Sequence, residues 1–130
     1  MSPQNIMLLV LRSLLAMVLA FAVVVLVNQA GGELADLTGF PAGGARRLAW
    51  DLGCVFVSGV LAAWGVAKFA PCAPRVHAGV FFALMLVVAV LGVMQLGDDW
   101  PRWFSAGILL GLPLQVWLGA RWALRGRRPA

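Results

Sequence analysis

The sequence predicts an all-α integral membrane protein, a four-helix bundle of antiparallel up-down topology, and three observations carry that reading. The first is composition. Of 130 residues, 62% are hydrophobic and 12% charged, where a soluble domain averages about 45–50% apolar and about 25% charged. The second is that the apolar residues form four long blocks, each near the ~20 residues that cross a bilayer core of ~30 Å. The third is that the cations sit at the ends of those blocks. A net charge of +5 would otherwise raise a nucleic-acid reading, but this placement is the pattern of membrane orientation.

The blocks cover residues 6–27, 48–69, 76–96 and 103–124 of a single membrane domain, 1–130. Each is expected to be a helix, because a spanning segment must satisfy its own backbone hydrogen bonds, and membrane helices tolerate glycine. The first connection, an outer loop over 28–47, is rich in glycine with Pro41 among them, and is expected to hold at most one short helical turn around Leu34 to Leu37. The second, 70–75, contains Pro71 and Pro74 and reads as a tight reversal. In the third, 97–102, Pro101 fits the start of the last helix, where its missing N–H matters least. Ala20, Phe21 and Ala22 offer small residues at signal-cleavage spacing. The apolar run nevertheless continues to Val27 and Arg12 lies deep for a leader charge, so a retained helix is expected.

Orientation follows from the cations. Arg12, Lys68, Arg75, Arg121, Arg125, Arg127 and Arg128 fall toward one side, and Arg46, Arg47 and Arg102 toward the other. The positive-inside rule then predicts both ends of the chain in the cytoplasm, N-in and C-in. All five acids, Glu33, Asp36, Asp51, Asp98 and Asp99, fall on the outer side. The tryptophans fit the same frame, with Trp50, Trp100 and Trp103 at the outer boundary and Trp117 and Trp122 near the inner one. Trp50, Trp64 and Lys68 also share their spacing with Trp103, Trp117 and Arg121. That is the signature of two hairpins related along the membrane normal, although any pair of helices running outside to inside tends to acquire it.

No catalytic, cofactor-binding or metal-ligating set is predicted. Cys54 and Cys72 would lie roughly 27 Å apart on a helix, far beyond the ~7 Å that a disulfide tolerates. His77 is the only histidine, and a haem anchor needs one from each of two helices or chains. The polar residues that stand out are Arg12, Asp51, Gln115, Asp98, Asp99 and Arg102. A charge within a spanning helix is by default a functional candidate; Arg12, about 9 Å from the start of its block, also reaches the interface by snorkelling. Asp51 follows Arg47 by four residues, ready for an i,i+4 pair, and Asp98 and Asp99 are placed to join Arg46, Arg47 and Arg102 in an outer polar rim. Gly59, Ala63 and Ala67 on the second helix and Gly107 and Gly111 on the fourth, continued by Gly119, form small-residue rows that let helix backbones approach within the bundle or between chains. Pro113 should kink the fourth helix and free the carbonyl near Leu109, with Gln115 as its polar partner.

The segments LRSLLAMVLA, LAWDLGCVFVSGVLAAWGVAKFAP and WFSAGILLGLPLQVWLGARWA resemble a family of small four-transmembrane-helix bacterial inner-membrane proteins of unknown function. The resemblance covers most of the chain and implies a multi-pass inner-membrane location without an activity. Small multidrug transporters fit poorly, since they rely on a carboxylate in the first helix, where this chain has Arg12. The expected role is therefore non-enzymatic: an accessory or assembly protein acting by helix association. The alternative is a small oligomeric transporter or channel subunit with a polar pathway near Arg12, Gln115 and Asp51. Expected partners are the lipid bilayer, anionic lipids at the cytoplasmic face, and a second copy or another membrane protein.

Overall fold

The computed structural model describes residues 1–126, and these are all-helical: α1 (Pro3–Leu37), α2 (Ala45–Phe69), α3 (Pro74–Leu96) and α4 (Arg102–Leu124). Each helix is long and apolar enough to cross a membrane, which fits a multi-pass membrane protein. Arg127 and Arg128, counted above among the cations of one side, lie outside the described residues.

The largest departure from the sequence reading is in α1. It runs for 35 residues, or roughly 52 Å at 1.5 Å per residue, and absorbs ten residues of the region read as loop. The reason is packing. A stripe of Ala16, Ala20, Gly31 and Ala35 is buried, so the contact face continues straight through the glycine pair. Gly31 is pressed so closely on Cys54 that a methyl group there would overlap its sulfur. Glycine is weak in a water-exposed helix, but here its lack of a side chain is what permits the contact. At one end the Ser2 hydroxyl accepts a hydrogen bond from the Asn5 N–H (3.3 Å). At the other, Thr38 folds its hydroxyl back onto the Leu34 carbonyl (2.9 Å), and Gly39 takes a left-handed backbone with φ of 81°.

Helix α2 is central. It packs against all three other helices, most extensively against α4 and α1, while the backbones of α1 and α4 are not adjacent. Gly31 against Cys54 and Asn28 against Ser58 set α1 antiparallel to α2. Gly107 against Leu52 and Gly119 against Ala63 set α4 parallel to α2. The core that results is built of Ala20, Ala62, Ala63, Val66, Phe81 and Leu112 with their neighbours.

This topology gathers all five acids at one end of the bundle, here called the acidic end. Lys68, Arg75, Arg121 and Arg125 gather at the other, the basic end. The two Trp and cation pairs noticed in the sequence adopt one arrangement: Lys68 Nζ lies 4.7 Å from the Trp64 ring centre and the Arg121 guanidinium 5.0 Å from that of Trp117. In each pair the cation sits one turn beyond the ring and lies over its electron-rich face.

Candidate functional site

Halfway along the bundle the chain places amides and a hydroxyl in an otherwise apolar interior. Asn28 of α1 donates through Nδ2 to the Ser58 hydroxyl (2.9 Å) and to the Val24 carbonyl of its own helix (2.8 Å). Ser58 is fully buried and donates in turn to the Val55 carbonyl (2.8 Å). The hydroxyl therefore relays between the two helices and leaves none of its hydrogen-bonding hydrogen unused. The next residue, Gly59, lies about 100° further round α2 and receives the side chain of Gln115 from α4. A methyl group at Gly59 would overlap the Gln115 amide. Gln115 is 1% exposed, and its Oε1 has no hydrogen-bond partner. An unsatisfied buried carbonyl oxygen is costly where water cannot reach it.

The glycine row of α4 packs on α2 inside the chain, and meets the α2 row at Ala63. A side chain added at Gly107 would strike Leu52, at 2.7 Å, and one at Gly119 would strike Ala63 and the Trp64 backbone nitrogen, both at 2.8 Å. Ala63 and Ala67 are fully buried. The α4 helix continues through Pro113. The pairing of Gln115 with a carbonyl freed by Pro113 is not formed; the side chain turns onto Gly59 and toward Gly111 instead.

At the acidic end Arg47 is the hub. It donates to Asp36 (2.6 Å), to Asp51 (3.1 Å) and to the Gly32 carbonyl (3.4 Å). The Asp51 pair has the anticipated i,i+4 geometry; the stronger Asp36 contact arises because α1 stays helical to that level. The Trp50 indole donates to the Gly31 carbonyl (2.8 Å) and stacks with Phe40 at 6.0 Å between ring centres. The wider polar rim does not assemble. Asp98, Asp99, Arg46 and Arg102 form no ion pair among the described residues, since the α3–α4 connection turns its acids outward.

At the basic end His77 joins α3 to α1. Its Nδ1 lies 3.2 Å from the Ala73 carbonyl and its Nε2 2.8 Å from the Ser13 hydroxyl. A carbonyl only accepts, so in the neutral ring Nδ1 carries the hydrogen and Nε2 accepts from Ser13. Arg12 beside it is exposed. Because Ser13 reaches the first turn of α3, Arg12 sits level with the start of α3, and residues 3–9 extend beyond it. Arg12, Gln115 and Asp51 are therefore not brought together. Arg12 and Asp51 stand near opposite ends of the bundle, roughly 30 Å apart along the helix axes, with Gln115 between.

Sequence reasoning missed Asn28 and Ser58. Asn28 stood where the loop was expected to begin, and Ser58 inside an apolar block. The available signal was the periodic series Ala16, Ala20, Val24, Asn28, Gly31 and Ala35, which keeps one helix face through the supposed loop. Among the described residues no group of three or more His, Cys, Asp or Glu could hold a metal ion. No protein-family model matches this chain, and no curated protein or solved structure matches it.

Proposed function

We propose that this chain is a non-enzymatic helix-association protein of the bacterial inner membrane, oriented with its basic end in the cytoplasm, that serves as an accessory or assembly partner of other membrane proteins. The observation that carries the reading is the overhang of α1. Residues 3–9 project beyond the start of α3, and Ile6, Met7 and Leu8 among them are all at least half exposed. In this reading Arg12, level with Arg75, marks the headgroups, so the apolar segment before it extends beyond the hydrocarbon, and burial against a partner removes that surface from water. A photo-crosslinking residue at Leu8 tests the reading in native membranes. A discrete protein adduct is expected at Leu8 and not at Leu84 on α3. Lipid adducts alone, together with a strictly monomeric protein in mild detergent, reject the reading.

A second reading, a small oligomeric transporter or channel subunit, is favoured by one observation, the unpartnered Oε1 of Gln115. Such an oxygen is the kind of waypoint a polar solute or water would use. Flux in liposomes that is unchanged by Gln115→Leu rejects it.

A further inference from the structure

Helices α3 and α4 pack less closely than α2 and α4, and the space left between them at the basic end is a groove of about 710 Å³. It is lined by Gly79 on α3, where an added Cβ would meet nothing within 4 Å, and by Pro113 and Ala120 on α4. Phe82 and Trp117 form its walls, and its mouth carries Arg75, Arg121 and Arg125. From Pro113 to Arg125 the groove runs roughly 18 Å along α4, slightly more than half of the ~30 Å hydrocarbon core and so one leaflet deep. We propose that this groove is a binding site for an anionic glycerophospholipid, with one acyl chain lying over Gly79 against Pro113 and the phosphate held by the three arginines.

The charge distribution argues for that occupant. The arginines at the mouth form no ion pair with a carboxylate among the described residues, because every acid lies at the far end of the bundle. Arg121 is held over the Trp117 ring, at 5.0 Å, which fixes its position at headgroup level. A zwitterionic headgroup would bring its own cation against this cluster, whereas an anionic lipid adds charge-assisted hydrogen bonds to an apolar seat. The site lies wholly on α3, α4 and the residue that follows α4, so it does not depend on the overhang of α1.

Native mass spectrometry of the full chain released from bilayers of mixed phosphatidylglycerol and phosphatidylcholine tests the proposal. The expected result is one retained phosphatidylglycerol per chain, favoured over phosphatidylcholine. The double variant Arg75→Gln/Arg121→Gln should lower retention by about tenfold or more. Gly79→Leu keeps every arginine and adds a side chain to the groove lining at a position where its Cβ meets nothing within 4 Å, so it separates a seated lipid from general attraction to a charged surface. It should abolish the adduct while leaving helical content and monodispersity unchanged. Equal retention of the two lipids, or an adduct that survives Gly79→Leu in the folded protein, overturns the proposal.

Discussion

Helices α2 and α3 are neighbours with opposite characters. The α3 helix is the more apolar of the two, yet only 11% of its most apolar stretch is buried, against 33% for α2. The same inversion holds between α1 and α4, at 11% and 28%. In water the most hydrophobic helix would be the best buried. In lipid, where the surroundings are as apolar as leucine, burial follows close backbone approach and polar complementarity instead. The α2 and α4 helices have the glycines, alanines, Ser58 and Gln115 that provide both; α3 has large aliphatic side chains that suit lipid.

Glycine substitutions separate the two kinds of helix most strongly. Gly119→Ala should destabilise the protein by about 2–3 kcal/mol, because the new methyl meets the Val60 carbonyl and the Ala63 methyl. Gly79→Ala on α3 meets nothing and should be neutral or stabilising by up to ~1 kcal/mol. Reversible unfolding in bicelles would compare them; equal effects would remove the distinction between the helices. A smaller change is expected in the polar layer. Gln115→Met keeps the volume and removes the orphan oxygen, so it should stabilise by about 1 kcal/mol, whereas Ser58→Ala removes the hydrogen bond that Asn28 makes across to α2 and should cost about 0.6–1.7 kcal/mol. A Gln115→Met variant less stable than the parent would mean that the amide is satisfied by bound water.

The end contacts should matter least. Asp36→Asn removes the shorter of the Arg47 ion pairs, but Asp36 is mostly exposed, so a loss of up to ~1 kcal/mol that shrinks with added salt is expected. Ala73 precedes α3 with φ of 42°, a left-handed conformation that costs a residue with a side chain roughly 1–2 kcal/mol. Ala73→Gly should return part of that, seen as a small rise in the unfolding midpoint. No rise would mean that the glycine's extra freedom in the unfolded chain offsets the relief of strain.

Much of the helical pattern was legible in the chain, because long apolar blocks have one backbone solution in a bilayer. The end of α1 was not. Gly31 and Gly32 read as loop residues when considered alone, and only the position of Cys54 on another helix explains why a glycine is required there. The candidate site was half legible. Gln115 and the small-residue rows stood out by type and spacing. Asn28 and Ser58 did not, since their pairing bridges 30 positions of sequence and depends on the register of two helices. The outer rim was over-read for the matching reason: opposite charges near one boundary need not share a side of the bundle.

The most direct measurement of the central claim, that the glycine row of α4 packs on α2 within one chain, is a disulfide between Leu52→Cys and Gly107→Cys. Native Cys54 and Cys72 would be replaced by alanine, and the oxidation carried out in nanodiscs holding single chains. Rapid intramolecular disulfide formation is the predicted result. Failure to form the bond in single-chain discs, with ready formation between chains in crowded bilayers, would contradict it and assign the rows to association between molecules.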